Sequence, residues 1–477
     1  MQHIVRIIFI TAILSVSGIC SAQTGYNIKV NVKQFANQYI YLGYYFGKTL
    51  PIKDSIQLNS EGSGNFKGIV NLPGGIYLIG YPNKTDRVEI LVDKNQQFSI
   101  RIDSAFTSKK ITLTGTQEGT QFQAYQNYMD QKGKQYQALN NLPNQLLQDQ
   151  KNVVDKRAKL TSDVEAYRNN VIKQSPTGLL TAIFGVIKPP TVPTADKQPN
   201  GKYDSTYAWQ YYKNSYWKNI NLTDERLLRT PVYEAKFDEY FKSVVAQAPD
   251  SIIREADKLL GATIANNEMF KYHLNKLIDR YINPEYMGQD AVFVHLFEKY
   301  VATGTANWYN EKQTKYITDR AYSLMDNKIN DKAPPLELVD TTGKKVSLYD
   351  IKSKYTVICF WDATCGHCKE VVPRLDSIYT AKWQKMGVTL LGVMTDGGLD
   401  SWKKYITQHN LTTWLHAYQP DAKRKEDNEA RRPNYRQQYD IVTTPKLYLL
   451  DKDKNIKAKQ LTFQQIDNFL TQYNKTN

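Results

Sequence analysis

One segment carries most of the information about architecture: Val357-Ile358-Cys359-Phe360-Trp361-Asp362-Ala363-Thr364-Cys365-Gly366-His367-Cys368-Lys369. The apolar run from Tyr355 to Trp361 predicts a buried strand. The residues from Cys365 to about Met386 predict a helix, which places two closely spaced cysteines in its first turn. A buried strand that leads directly into a helix indicates an α/β layer.

The rest of the C-terminal region supports the same architecture. Pro334 and Pro335 mark a boundary, and strand and helix patterns alternate after it. Further strands are predicted at 336–339, 388–393 and 446–450, and further helices at 399–409 and 464–473. Residues 331–477 are therefore predicted to form one α/β domain.

Before this boundary, the spacing of apolar residues changes once along the chain. From residue 26 to about 113, apolar and polar residues alternate in short runs, which indicates an antiparallel β-sandwich-like domain. From about 118 to 329 the apolar residues follow helical spacing, which indicates an all-α region. The predicted strands are 26–32, 69–72, 76–80, 88–92 and 98–102, and the predicted helices are 146–171, 237–245, 252–260, 270–281, 291–303 and 314–325.

The 477-residue chain is thus predicted to be multidomain. The expected parts are a signal peptide at 1–22, a β-rich domain at 23–115, a helical domain at 116–330 and the α/β domain at 331–477.

The first residues have the pattern of a secretory signal. Arg6 precedes an apolar run from Ile7 to Val16, and Cys20-Ser21-Ala22 supplies small residues at the expected cleavage point. The apolar run is short for a membrane span. We therefore expect a periplasmic or cell-envelope location after cleavage, with lipid attachment at Cys20 as an alternative.

The chain carries a formal charge of +15, from 62 Lys and Arg residues against 47 Asp and Glu residues. The basic residues are scattered, and acidic residues interrupt the densest run, 423–432. This pattern indicates a solvated basic surface, and we expect no nucleic-acid partner for an exported protein. Association with an anionic membrane surface stays open.

The cysteines are concentrated in one place. Cys20 falls in the signal, whereas Cys359, Cys365 and Cys368 lie close together. A secreted protein that holds its fold with disulfides usually spreads an even number of cysteines along the chain, so these three indicate chemistry. At a helix N-terminus, free N–H groups and the helix dipole favour an anion and should lower the pKa of Cys365. His367 could lower it further.

This arrangement permits thiol–disulfide exchange. Cys365 would attack a disulfide in a partner, and Cys368, one helical turn later, would resolve the mixed disulfide. The reverse order oxidises a dithiol. Zinc is the alternative for closely spaced cysteines, but it usually needs a second ligand pair, and only Cys359 and His367 are near. We therefore expect no metal and no cofactor other than the redox-active Cys365–Cys368 disulfide.

Residues 333–477 resemble the TlpA/ResA-like thiol–disulfide oxidoreductases of the thioredoxin superfamily. The resemblance rests on Phe360-Trp361, Cys365-Gly366-His367-Cys368, Pro373 and Val442-Thr443-Thr444-Pro445. It implies a thioredoxin-like fold, a cis peptide bond before Pro445, and contact between the Thr444 backbone and a bound peptide. The preceding regions resemble domains of uncharacterised function that precede thioredoxin modules in exported proteins.

The sequence departs from the superfamily pattern at two places. Cys359 stands where thioredoxin has a buried aspartate, so Asp362 is the nearest candidate proton acceptor for Cys368. The dipeptide Gly366-His367 is similar to that of protein disulfide isomerases, and a histidine there favours the thiolate. The direction of the reaction therefore stays open. Trp361 is expected either to contact substrate or to pack in the core.

The leading hypothesis is an exported enzyme that reduces disulfides in partner proteins and receives electrons from a membrane-bound donor. One alternative is a disulfide oxidase or isomerase, which would use the same two cysteines. The other is an envelope binding or scaffold protein in which the front domains recognise a partner and the α/β domain senses redox state.

Overall fold

The computed structural model describes residues 25–103, 111–141 and 150–476. The predicted signal peptide at 1–22, including Cys20, lies outside the described residues. The chain forms two compact units, of which the first ends at Tyr240 and the second begins at Phe241. This division falls within the region predicted to be helical, and the domain boundaries near residues 115 and 330 remain predictions.

The first unit contains two four-stranded sheets, which confirm the predicted β-rich region. Its strands are β1 (Tyr26–Asn31), β2 (Tyr39–Tyr44), β3 (Ile52–Gln57), β4 (Ser63–Gly68), β5 (Gly75–Gly80), β6 (Arg87–Val92), β7 (Gln97–Ile102) and β8 (Ile111–Thr114). The strand orders are β4-β1-β7-β8 and β3-β2-β5-β6. All neighbours are antiparallel except β1 and β7, which pair in parallel. Alternate residues of both sheets, such as Ile28, Ile40 and Phe98, form one core.

One predicted strand is wrong. Residues 69–72 form no strand, and Ile69 is 90% exposed. The preceding residues, whose Gly and Asn content indicates a turn, form β4 instead. A Cβ added to Gly68 would lie 2.4 Å from the ring of Tyr26, so the ring packs directly over the glycine. Close approach of an aromatic ring, rather than strand propensity, therefore selects glycine in this strand.

Helices cover part of the second sheet in the first unit. They are α1 (Gln117–Asn140), α2 (Gln150–Gln174), α3 (Leu179–Ile187), α4 (Ser205–Ser215) and α5 (Tyr233–Glu239). The Thr116 side chain accepts a hydrogen bond from Gly119 N and so fixes the start of α1. Ile76 of β5 and Leu91 of β6 pack against Phe122 and the residues of α3. These strands are therefore buried on both faces.

The second unit begins with helices α6 (Pro249–Thr263), α7 (Asn267–Tyr281), α8 (Asp290–Leu296) and α9 (Glu311–Met325). A wider π turn at Phe297–Val301 continues α8 to the end of the predicted helix. Asn310 and Gln313 form a capping box at the start of α9. These helices confirm the predicted all-α region. Among the described helices of the whole chain, none combines the length and the apolar character that a bilayer crossing requires.

The remainder of the second unit is an α/β fold, as predicted. Its seven-stranded sheet has the order β10-β9-β13-β12-β11-β14-β15. The strands are β9 (Glu337–Asp340), β10 (Lys345–Ser347), β11 (Tyr355–Trp361), β12 (Val388–Met394), β13 (Leu415–Tyr418), β14 (Lys446–Asp451) and β15 (Ile456–Lys459). The helices are α10 (Gly366–Ile378), α11 (Leu399–Gln408), α12 (Asp421–Glu429), α13 (Tyr435–Gln438) and α14 (Phe463–Thr476). The short elements β10, β13, β15, α12 and α13 were not predicted.

Strand β11 lies at the centre of this sheet. All seven of its residues are buried. It pairs in parallel with β12 and antiparallel with β14. Cys359 and Trp361 face one core, whereas Ile358 and Phe360 face the other. The two cysteines that follow therefore lie beyond the carboxyl end of a fully packed strand, where α/β sheets usually carry their sites.

Candidate active site

Cys365 occupies the N-cap position of α10. Its backbone N–H donates to the carbonyl oxygen of Asp362 at 3.2 Å, and its own carbonyl accepts from Lys369 N at 3.1 Å. These bonds form a tight turn between the end of β11 and the helix. The first N–H groups of a helix have no partner within it, so the Cys365 side chain lies where an anion is stabilised.

The two cysteines at the start of α10 have different environments. Cys365 is partly exposed, and its pKa is lowered, chiefly by the backbone N–H group of Cys368. Cys368 is fully buried, and desolvation raises its pKa to about 11. Because the thiolate is the nucleophile, Cys365 is equipped to attack first and Cys368 to remain a thiol until a disulfide forms beside it.

The loop before β14 approaches the same sulfur. The peptide bond between Thr444 and Pro445 is cis, as the resemblance implied. The Cys365 thiol donates to the carbonyl oxygen of Thr444, with 3.7 Å between sulfur and oxygen. The structure thus brings together Cys365, Thr444 and Pro445.

The carboxylate of Asp362 is engaged in the turn. It accepts from the backbone N of Thr364 at 2.6 Å and from the Thr364 hydroxyl at 2.8 Å. Cys368 Sγ instead accepts from the backbone N–H of Asp362 at 3.5 Å. A backbone N–H can stabilise a Cys368 thiolate but cannot take its proton, so the role of Asp362 as proton acceptor remains a prediction.

The dipeptide between the cysteines faces solvent. The side chain of His367 is 68% exposed, and its Nδ1 lies 3.9 Å from Glu370 Oε2, one turn further along α10. A Cβ added to Gly366 would meet no atom within 4 Å. Steric demand therefore does not require glycine at this position, and both residues are accessible to a partner.

Trp361 and Cys359 belong to the core instead. Trp361 is fully buried and packs against Tyr405, with ring centroids 5.4 Å apart, and near Trp402 and His416. Of the two alternatives for Trp361, the structure favours packing. Cys359 is also fully buried, and desolvation raises the pKa of its thiol well above the ordinary value.

A groove of about 520 Å³ opens beside the cis proline and His367, the residue that directly precedes Cys368. Its residues come from α10, from the cis-proline loop and the start of β14, and from the segment that leads from β15 into the first residues of α14. They are His367, Val371, Arg374, Thr443, Pro445, Lys446, Leu447, Gln460, Leu461, Thr462, Phe463 and Gln464. Sequence reasoning missed the contribution of residues 460–463, because they follow β15, which is too short to be recognised from its pattern.

The chain matches two families along its length. Residues 329–459 match the AhpC/TSA family, and residues 145–322 match a domain of unknown function, DUF5106. Thiol-disulfide oxidoreductase ResA of Bacillus thuringiensis subsp. konkukian is 27% identical over 146 residues, which are 30% of this chain and 76% of that protein. ResA of Bacillus cereus is 26% identical over 145 residues, again 30% of this chain and 76% of the relative.

Solved structures also align with the chain. A domain of a possible thiol-disulfide isomerase from Cytophaga hutchinsonii is 34% identical and has a TM-score of 0.27, with 31% of this chain and 94% of that chain covered. A thioredoxin-like protein from Bacteroides caccae is 21% identical and has a TM-score of 0.46, with 60% of this chain and 97% of that chain covered.

The sheet, the cysteine-bearing helix and the cis-proline loop define the C-terminal domain as a thioredoxin-like domain. Within that class, the domain is similar to the ResA thiol–disulfide oxidoreductases, and this similarity identifies the chain as an enzyme of thiol–disulfide exchange.

Proposed function

We propose that this chain is an exported reductase of protein disulfides that works through Cys365 and Cys368. The observation that carries the proposal is the contrast between these two thiols. Cys365 is partly exposed, has a lowered pKa and lies beside the Thr444 carbonyl, whereas Cys368 is buried and has a raised pKa. An attacking thiol and a resolving thiol require this contrast.

The reaction has two exchange steps. The Cys365 thiolate attacks one sulfur of the partner's disulfide, a Cys365–partner disulfide forms, and the other partner sulfur leaves as a thiolate. Cys368 then loses its proton, for which Asp362 is the candidate acceptor, attacks Cys365 Sγ and releases the second partner thiolate, and the two partner thiolates take up protons. The partner gains two electrons and two protons, and the chain ends with a Cys365–Cys368 disulfide.

The partner peptide is proposed to bind along the loop of Thr444 and Pro445. The Thr444 carbonyl points toward the reactive sulfur, so an extended peptide that pairs with this backbone would bring its disulfide to Cys365. The groove beside Pro445 would accept the neighbouring side chains.

The chain is also proposed to be exported and to receive its electrons at the membrane. The pattern of residues 1–22 supports secretion to the periplasm or cell envelope, with attachment through Cys20 as the alternative. An exported reductase must be reduced again after each turnover, and a membrane-bound electron donor would supply those electrons. The basic surface would favour association with an anionic membrane.

The test measures insulin reduction and the reduction potential of the mature chain, with the Cys365→Ser and Cys368→Ser variants beside it. Both variants should lose turnover, and Cys368→Ser should accumulate a mixed disulfide whereas Cys365→Ser should not. A potential near thioredoxin's, about −270 mV, supports a reductase. A potential between about −180 and −120 mV would support an oxidase or isomerase. The absence of a two-electron couple would favour the binding or scaffold alternative.

A further inference from the structure

A buried carboxylate lies at the base of the loop that carries the cis proline. Asp440, whose side chain is 3% exposed, forms an ion pair with Arg320 through Oδ1. Its Oδ2 accepts from Lys446 Nζ at 3.0 Å and from Gln460 Nε2 at 3.3 Å. Arg320 belongs to α9, whereas the other two donors belong to the α/β domain. One side chain thus joins the helical segment to two parts of the sheet domain.

Asp440 and Lys446 stand at the two ends of the loop 441–445. The Lys446 ammonium group also donates to the backbone carbonyl of Asp440, so that the base of the loop is closed by one side chain. Asp440 has a φ of 47°, in the left-handed region that few side chains adopt. Such a conformation persists where the surrounding contacts fix it, and the contacts here are Arg320, Lys446 and Gln460.

The donors to Asp440 are also groove residues. Lys446 of β14 and Gln460, the residue after β15, both line the groove beside Pro445. Their positions therefore depend on Asp440, and the position of Asp440 depends on Arg320. These contacts do not touch Cys365 or Cys368 directly, and they end at the base of loop 441–445, whose Thr444 carbonyl contacts Cys365.

A second buried pair joins the helices to the same wall. Lys459, which directly precedes Gln460, is 1% exposed and pairs with Asp290 of α8. It also donates to Asn327 Oδ1 at 2.7 Å. The backbone N of Asn330 donates to the carbonyl oxygen of Ile456 at 2.8 Å, beside the same strand. The helical segment is therefore attached directly beneath the groove.

We propose that Arg320 is a positioning residue for the substrate groove, which it orders by holding Asp440 and, through Asp440, Lys446 and Gln460. The proposal rests on the proposed function, because it takes the groove to be where the partner peptide binds. It assigns α9 a part in substrate binding. Since the contacts of Arg320 act on the groove walls and the base of the loop and not on the sulfurs themselves, its loss should weaken protein binding far more than it changes the exchange chemistry.

The test compares Arg320→Gln with the wild-type full-length mature chain. We expect the KM for insulin to rise by about threefold to thirtyfold, the range in which residues of a coupling network usually act. The kcat, the rate with a small aromatic disulfide and the reduction potential should stay as in the wild type. Arg320→Lys keeps the charge but lacks the planar fork of donors, so its KM should lie between that of the wild type and that of Arg320→Gln.

Two matched variants of α9 serve as controls. Lys315→Gln removes a cation whose partner, Asp319, is exposed, and it should leave the KM unchanged. Ile317→Ala loosens the buried face of α9 without removing a donor to Asp440 and should lower stability without raising the KM. A KM that rises equally in Ile317→Ala would mean that Arg320 is merely structural and would overturn the proposal.

The outcomes also separate this proposal from the proposed function. If the wild-type chain reduces neither insulin nor the small disulfide, the proposed function fails. If it reduces both and the folded Arg320→Gln chain has an unchanged KM, only the role of Arg320 is overturned. If Arg320→Gln does not fold, Arg320→Lys decides, and an unchanged KM in that variant overturns the proposal.

Discussion

The sulfur of Cys365 lies 3.7 Å from the carbonyl oxygen of Thr444, although 79 positions separate the two residues along the chain. The helix N-terminus of α10 lies on one side of this sulfur, and the backbone of the cis-proline loop lies on the other. The helix end lowers the pKa of the thiol, and the loop offers a backbone edge to a peptide. Nucleophile and peptide-binding edge are thus held together by the fold itself.

Alkylation should distinguish the three thiols that the structure describes. Because the pKa of Cys365 is lowered and that of Cys368 is raised to about 11, iodoacetamide at pH 7 should modify Cys365 alone. The rate should rise with pH and reach half its maximum at a lower pH than for an ordinary exposed thiol. Mass spectrometry of the reduced chain checks this prediction. The chain in urea is the control, and equal labelling of Cys365 and Cys368 in the folded chain would contradict it.

Cys359 should be dispensable for turnover. Its thiol is fully buried, and its pKa is well above the ordinary value, so it stays protonated during exchange. Cys359→Ala should lower the free energy of unfolding by roughly 1 kcal/mol, as for a small core truncation. The rate of insulin reduction should stay within about twofold of wild type, because an inert core thiol acts through packing alone. A large loss of rate in a folded variant would instead make Cys359 part of the exchange chemistry.

The free energy of unfolding should fall as the pH drops below the pKa of an ordinary histidine. Burial lowers the pKa of His416 to about 4, so the unfolded chain takes up a proton between about pH 6.5 and 4 that the folded chain does not. The stabilisation is complete above pH 6.5 and is lost as the pH falls toward 4. His273, with a pKa of about 3, acts in the same direction. Urea titrations across this range measure the slope.

The variant His416→Gln should take up as much as one proton fewer on unfolding. This change reduces the slope by up to about 1.4 kcal/mol per pH unit. An unchanged slope in His416→Gln would show that this histidine does not titrate between the two states.

The buried pair of Lys459 and Asp290 should be sensitive to the loss of one partner. Asp290→Ala leaves an ammonium group with 2% exposure without its carboxylate and should lower the free energy of unfolding by roughly 3 to 5 kcal/mol. The double variant Asp290→Leu with Lys459→Met should recover much of that loss, because it buries no charge. Chemical denaturation checks both variants. Asp319→Ala, in an exposed pair, should change stability by less than about 1 kcal/mol.

Local patterns predicted the strand that carries the site. Strand β11 begins and ends at the predicted residues, Tyr355 and Trp361, because a run of apolar residues buried on both faces has a clear pattern. The helix predicted from Cys365 to Met386 also forms, although its last turns widen and then tighten after Ile378. The Cys-x-x-Cys spacing and Pro445 were enough to place the centre of the candidate site.

The walls of the site could not be predicted in the same way. Strand β15 has only four residues, two of which are lysines, so it does not stand out as an apolar run. The contact of Arg320 with Asp440 joins residues 120 positions apart, and neither lies in a motif. Charged side chains usually face solvent, so nothing in the sequence marks these two as buried partners.

The residues that link the helices to the sheet have one more consequence. Residues 330–333 run alongside the start of β15 and the turn before it. Ile456 N donates to Asp331 O, and Ala333 N donates to Lys454 O, both at 2.9 Å. This segment occupies hydrogen-bonding groups that a terminal strand would otherwise offer to another chain. The segment 330–333 thereby shields the start of β15 from edge-to-edge association, a route by which exposed strands aggregate.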